Sequence, residues 1–587
     1  MSKKKTNKPV REKISGDTWK RLAKYILNYK LKTVIIVIFI LISNYLLIMA
    51  PSISGNAIDV IAQSGGSDMP TVIKLCIQMA VMYVIASILS YYSTFLFSDV
   101  GQRVAYTMRK ECFEKLMKLS SSSLEKYQSG EVVSRLTYDI SVVSTSITSD
   151  FVQVITSTVT IVGSIIMMIK ISPILFLIYV VIVPAMIWFV KYITQVIRPL
   201  FRIRSKAIGS MCRYIDEKVT GTKTVRAYNA EKFYCDDFAK VNQTTCDAQF
   251  EAEYRSSLMM PINSFITNMA ISFIGLFGVL MNIAGKISIG SISNFIIYSR
   301  KFLSAITEYS NIIGDLQSAL SAAERIFSIL DDADEIDAKE EIDHEIVGEI
   351  DFKHVNFGYV KEIQILKDIN LHVNQGQTIA VVGETGSGKT TLISLLMRFY
   401  DLDTGEILID GIPLDKFPRK QVRRNFSMVL QNSWIFNDTV YENIAYGNPN
   451  ITMHDVVSAA KSAKVHDIIM SMPNGYETVL SENAVNLSKG QKQLIAITRA
   501  MVQQSKMVIL DEATSNVDTA TEKRIHEAMK NLRAGKTSFI IAHRLSTIKD
   551  ADKIVVLIGG EIAEMGTHDE LMSFNGHYKR IYDSQFI

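Results

Sequence analysis

No two of the five cysteines, Cys76, Cys112, Cys212, Cys235 and Cys246, stand in a C-x-x-C pair, and their number is odd. That argues against a disulfide framework or a zinc ribbon and reads as reduced, structural thiols in a cytosolic or membrane setting. Charge of one sign is also scarce. Lys and Arg number 63 against 59 Asp and Glu, a net charge of +4. Such a balance offers no broad basic surface, so no nucleic-acid partner is expected. The segment from Ser54 to Pro70 has no Lys or Arg at all. No small-residue cleavage site follows the first apolar run, so a removable signal peptide is not expected.

What the chain has in excess is apolar residues, 48% of its 587, with a positive mean hydropathy. It is too long for one core, and its composition points to membrane content. Apolar runs long enough to cross a bilayer recur at about 33–53, 72–97, 150–170, 173–195, 259–283 and 290–320. The segments 101–149 and 196–256 are rich in Lys and Arg, unlike the loop after the first run. By the positive-inside rule both termini, both long loops and everything past residue 320 are cytoplasmic, in a multi-pass protein of the cell membrane. Residues 1–32 form a basic lead. Within it Trp19, Leu22, Tyr25 and Ile26 recur at helical spacing, as in a helix lying on the inner membrane surface.

The two long loops carry helical periodicity, as in Val104, Met108, Cys112 and Leu116, with breaks near 121–127 and 220–229. They read as membrane helices that continue into the cytoplasm and turn back. Residues 331–347 are an acidic linker, read as a solvated charge run. From 348 to 587 short apolar strands alternate with helices, an α/β pattern. The expected fold class is therefore a membrane α-helical bundle of six spans, residues 33–330, fused to a cytoplasmic α/β P-loop ATPase domain.

The stretch Gly383-Glu384-Thr385-Gly386-Ser387-Gly388-Lys389-Thr390 follows an apolar run and precedes a helical one. Strand, glycine loop and helix together make a phosphate cradle. Lys389 is expected to reach the β- and γ-phosphates of ATP, and the Thr390 hydroxyl to ligate Mg²⁺. Downstream, Met507-Val508-Ile509-Leu510 delivers Asp511 and Glu512 at the end of an apolar strand. Asp511 is the candidate second metal holder, and Glu512 the candidate base for the attacking water.

With these motifs, essentially the whole chain from about residue 17 resembles a half-transporter of the ATP-binding-cassette exporter family. The resemblance implies further roles. Tyr359, in Val355-Asn356-Phe357-Gly358-Tyr359, matches the aromatic that stacks on adenine. Thr391 continues the nucleotide loop. Gln431 matches the glutamine that contacts Mg²⁺ and links the site to the membrane domain. Leu487-Ser488-Lys489-Gly490-Gln491 matches the signature that binds the γ-phosphate held by an opposite subunit. Asp518 closes the Ser515-Asn516-Val517-Asp518 loop, and His543 matches the switch histidine. Glu482 resembles an acid that contacts the intracellular loops. One chain has one copy of each motif, so a second half-transporter is implied as partner. The signature departs from the usual Leu-Ser-Gly-Gly-Gln at Lys489, which favours a heterodimer over a homodimer.

The last run is unusually polar. Ser293, Arg300, Ser304, Thr307 and Asn311 share one stripe, and Asn294, Tyr298, Lys301 and Glu308 an adjacent one. Charges inside a bilayer usually face a cavity. Tyr298, Arg300, Lys301 and Glu308 are therefore candidate contacts for a hydrophobic or amphipathic, drug-like or lipid-like cargo, the alternative being that the charges are satisfied internally. A lipid flippase remains open. A peptide exporter with a built-in protease needs a domain that 32 residues cannot hold, and an ATP-gated channel is disfavoured by the intact Glu512 and His543.

Overall fold

The computed structural model describes residues 16–64, 68–335, 337, 341–360, 363–431, 433–480, 487–511, 518–541 and 548–586. The chain divides into two compact units. One is Met1–Leu116 with Gln128–Asp331, and the other is Met117–Tyr127 with Asp332–Ile587.

The first unit is all helix. Among the described residues four helical segments are long and apolar enough to cross a membrane: Lys30–Gln63, Met69–Leu116, Ser129–Ile171 and Glu231–Ile283. The other two expected spans coincide with the helices Pro173–Thr220 and Ile289–Asp331. In the latter, Arg300, Lys301, Glu308 and Asp315 interrupt the apolar run. The helix Gly16–Leu27 is docked within the unit. Leu22 is buried, Arg21 pairs with Asp331 at 2.6 Å and sits 4.1 Å above the Phe327 ring, and Tyr25 stacks on the same ring. Trp19 on this helix stays exposed. The second long loop turns where expected, at Gly221 and the short helix Thr222–Ala227.

The second unit is built on two main sheets and a short two-stranded pair. Its strands are β1 Ile350–Phe357, β2 Leu366–Val373, β3 Thr378–Val382, β4 Thr404–Ile409, β5 Ile412–Pro413, β6 Phe426–Val429, β7 Asp438–Thr439, β8 Val479–Leu480, β9 Met507–Asp511, β10 Thr537–Ile541, β11 Lys553–Ile558 and β12 Glu561–Gly566. A six-stranded sheet runs β12-β11-β3-β10-β9-β6, and an antiparallel one runs β2-β1-β4-β5. In the large sheet every pair is parallel except β11 with β12. Its strands are near-continuous apolar runs because both faces are covered. Alternation sends Ala380, Val382, Val508, Leu510 and Ile540 into one core and Ile379, Val381, Met507, Ile509 and Phe539 into the other.

Two acids of the linker are paired rather than left to solvent. Glu335 forks onto Arg423 at 2.8 and 3.1 Å, and Asp337 accepts from the Arg419 backbone at 2.8 Å and lies 3.6 Å from Arg398. Gln421 exchanges two hydrogen bonds with the Ile342 backbone. Asp410, in a left-handed turn at φ 51°, accepts from the backbone N–H groups of Val347, Gly348 and Glu349. Glu335 and Asp337 are thus taken up by arginines and a backbone amide of the α/β unit. The first expected turn, with its short helix Ser121–Leu124, also belongs to that unit. Lys118 O accepts from Glu335 N, Leu119 bridges Asp334, and Tyr127 donates to Asp332 at 2.8 Å.

Candidate nucleotide site

Parallel pairing sets the site. Ile541 of β10 pairs with Val381 of β3 on one side and with Asp511 of β9 on the other. The P-loop, which follows β3, and Asp511 therefore emerge at the same C-terminal edge, the place where parallel α/β sheets bind ligands. Glu512 and His543 come one residue after β9 and two after β10, but both lie outside the described residues, as does Glu482.

The loop's backbone requires its glycines. Gly386 and Gly388 take φ of 85° and 102°, a region L side chains rarely adopt. A Cβ at Gly383 would meet Leu557 O at 2.3 Å and Ser387 Oγ at 2.6 Å. Gly388 caps the helix Lys389–Leu396 without a side-chain bond, leaving its first N–H groups for an anion. Lys389 Nζ donates to Gly383 O and Glu384 O, both at 2.8 Å, so the ammonium bends over the loop. Burial pulls this ammonium below its ordinary range, and the Asp511 carboxylate partly opposes that. Ser387 Oγ is buried with no partner among the described residues. An unpaired hydroxyl, uncapped amides and a buried cation fit a polyphosphate. Glu384, Thr385 and Thr390 are exposed beside them, and Thr391 is buried.

Tyr359 joins this cluster. Its hydroxyl lies 3.2 Å from Thr391 Oγ1, its ring meets Phe357 and Tyr400 edge-on, and 49% of it is exposed. An exposed aromatic beside the P-loop helix can stack on a base. A cavity of about 240 Å³ adjoins it, lined in part by Ser120, Ser122, Tyr400 and Arg419. Burial, and the nearby Glu125 carboxylate, push the Tyr400 phenol above its ordinary range. Gln431 is exposed, two residues past β6.

The remaining candidates lie on other elements. Ser488 is the N-cap of the helix Lys489–Val502. Its Oγ accepts from Gln491 N at 3.2 Å, and Gln491 Oε1 accepts from Ser488 N at 2.9 Å. Lys489 is exposed and Gly490 buried. Among the described residues no hydrogen bond or ion pair joins Leu487–Gln491 to the P-loop. Asp518 caps the helix Thr519–Arg533 through Thr521 N, and those backbone and side-chain bonds to Thr521 hold its carboxyl below the usual range.

In the helical unit the cargo candidates divide. Tyr298 is fully buried and donates to Ile48 O at 2.7 Å. Lys301 donates to Leu47 O, and Glu308 accepts from Gln153 and Ser304. Arg300 is exposed. Sequence reasoning missed Arg398, Arg419 and Arg423, which gather behind the P-loop helix. The basic run from Arg419 to Arg424 was the available signal.

Residues 33–306 match the family described as ABC transporter transmembrane region, and residues 366–515 the family described as ABC transporter. Over 581 residues the chain is 38% identical to an uncharacterized ABC transporter ATP-binding protein, YfiC, of Bacillus subtilis, covering 99% of this chain and 96% of that protein. It is 37% identical over 513 residues to a fatty acid ABC transporter ATP-binding/permease protein of Mycobacterium bovis, covering 87% and 81%. An ATP-dependent lipid A-core flippase of Methylobacillus flagellatus is 34% identical over 504 residues, covering 86% of each chain.

Proposed function

The chain belongs to the ABC transporter family, and on that premise we propose that it is one half of a dimeric exporter for lipid-like or drug-like amphipathic molecules. It is a multi-pass membrane protein that hydrolyses ATP to drive transport. The observation that carries the site assignment is the shared sheet edge, where the P-loop and Asp511 emerge on either side of β10. On our reading the α/β unit and both termini are cytoplasmic.

The loop amides from Gly383 to Thr391 and Lys389 bind the phosphates, and Tyr359 stacks on the base. Thr390, Gln431 and Asp511 would hold Mg²⁺, which offsets charge on the β- and γ-phosphates when bound. Glu512 takes the proton of the attacking water, and His543 contacts the γ-phosphate. Ser488, Lys489, Gly490 and Gln491 face the nucleotide of the partner half, in keeping with the absence of any hydrogen bond or ion pair, among the described residues, from the signature to the chain's own P-loop. With Lys489 in its signature, this chain pairs with a different half-transporter, and its own P-loop and Glu512 make the competent site with the partner's signature. The cargo reading is supported by the relatives named for fatty acid and lipid A-core, and by the exposed Arg300 on the polar last long helix. A lipid flippase is the second reading, on the same relatives.

The test is the oligomeric mass and Mg-ATPase rate of the chain alone in lipid nanodiscs. A monomer, or an inert dimer that becomes active with a second half-transporter, is expected. Brisk activity of the chain alone, abolished by Glu512→Gln, would refute the heterodimer and leave a homodimer. Hydrolysis that survives Glu512→Gln would refute the assignment of the base.

A further inference from the structure

The P-loop helix Lys389–Leu396 is a rod about 12 Å long, at 1.5 Å per residue. Its N-terminus points its amides at the phosphate loop. Its other end closes in a Schellman turn, with Arg398 N bonded to Leu395 O and Phe399 N to Ser394 O, both at 2.9 Å. The left-handed position, usually glycine, is Arg398 at φ 51°. Two carbonyls there are held by guanidiniums. Arg423 donates to Met397 O at 3.3 Å and to Arg398 O at 2.9 Å, and Arg419 donates to Arg398 O as well.

The same two arginines hold the acidic stretch after the last long helix. Arg423 forks onto Glu335, and Arg419 lies 3.6 Å from it while pairing with both Asp401 oxygens at 2.7 Å. That stretch is joined to the first turn through Tyr127 to Asp332, Lys118 to Glu335 and Leu119 to Asp334. The chain passes between its two units at Leu116–Met117, Tyr127–Gln128 and Asp331–Asp332. All three crossings are thus tied, within a few residues, to the C-terminal end of the helix whose other end holds the phosphates.

We infer that Glu335, together with Tyr127, is a positioning residue for coupling: it binds the interdomain linker and the first turn into one clamp on the P-loop helix, so that displacement of that helix by nucleotide is passed to the helical unit. Glu335 acts through Arg423, whose planar fork serves carbonyl and carboxylate at once, a geometry lysine does not reproduce. The role is distinct from hydrolysis, because neither Glu335 nor Tyr127 belongs to the nucleotide site.

The inference rests on the ATP-driven transport reading for its readout. Full-length protein, in the complex in which it is active, is placed in lipid nanodiscs and trapped with ATP and vanadate. Amide hydrogen exchange is followed in residues 69–116 and 289–331, alongside the Mg-ATPase rate. A wild-type complex with no ATPase would sink the transport reading itself. With wild type active, Glu335→Gln and Tyr127→Phe are expected to keep the ATPase rate within about twofold. Each should lose at least half of the trapping-induced change in exchange, and the double variant should lose no more than the worse single one, as members of one path do. Full exchange changes in both single variants would overturn the inference. So would a parallel fall of ATPase rate and exchange change in Tyr127→Phe, which removes a single hydroxyl and serves where Glu335→Gln fails to fold.

Discussion

Ser488 has two possible tasks, and one pair of substitutions separates them. Its hydroxyl caps the Lys489–Val502 helix in a reciprocal box with Gln491, and the proposed mechanism also gives it a γ-phosphate across the dimer. Ser488→Ala removes the cap, at a cost of about 1 kcal/mol. For a domain of this size that lowers the melting temperature by about 2–4 °C. Ser488→Asp keeps the cap, since Asp and Ser serve equally well there, and its charge also suits a helix N-terminus. It should melt within about 1 °C of wild type, yet a carboxylate there repels a γ-phosphate. Nucleotide-free melting in nanodiscs gives the first quantity, and vanadate trapping of the assembled dimer gives the second. Ser488→Asp is therefore expected to be the more stable variant and the less active one. Trapping by Ser488→Asp equal to that of Ser488→Ala would refute the phosphate role. Equal melting of Ser488→Ala and wild type would refute the cap.

Gly388→Ala places a Cβ at φ 102° and 2.7 Å from Leu366 Cδ2. A loss of about 1–3 kcal/mol and of ATP affinity is expected, read by melting and by nucleotide titration; unchanged affinity would mean the loop tolerates another backbone. Hydrogen bonds to Asp351, then to Asn374, raise the His372 imidazole above its ordinary range. A raised folded value means stability fully present below pH 6.5 and lost as pH climbs through the higher value. Melting followed upward from pH 6 should therefore fall more in wild type than in His372→Gln, and identical slopes would exclude the pair. Tyr298→Phe should cost about 1 kcal/mol by removing the buried bond to Ile48 O, with cargo-stimulated ATPase unchanged. A shifted half-stimulating cargo concentration at unaltered stability would place Tyr298 on a cavity wall.

The phosphate loop was legible because it is local. Spacing of glycines, a lysine and a threonine determines the backbone without help from distant residues, and Gly386 and Gly388 do take the left-handed torsions that the motif demands. The apolar strand ending in Asp511 was equally readable, since a buried parallel strand leaves a continuous run. The polar stripe around Tyr298 was harder to read. A polar stripe on a membrane helix tells that polar groups share a face. It does not tell whether a neighbouring backbone carbonyl, here Ile48 O or Leu47 O, already satisfies them. Ser488 and Gln491 illustrate a third case, in which a motif known for its ligand also has the S-x-x-Q spacing of a capping box, so one pattern carries two meanings.

The linker shows why a charge run is the hardest signal to read alone. Asp332, Asp334, Glu335 and Asp337 look solvated because acids stripped of partners would be. Their partners lie about sixty to ninety residues away, on Arg398, Arg419 and Arg423, and two hundred residues back, on Tyr127. Arg398 and Arg419 are themselves buried, and burying cations is costly unless each is paired. Had the basic run at 419–424 been weighed as a set of charges needing acids, the linker was the nearest unassigned acidic stretch before the α/β domain. The pairing therefore answers two demands at once: carbonyls at the end of the P-loop helix need donors, and the arginines that supply them need carboxylates. A linker that merely connected two domains would meet neither demand. One that meets both has fixed length and register, and insertions between Asp331 and Asp337 should be tolerated far less than insertions in an unpaired tether of the same composition.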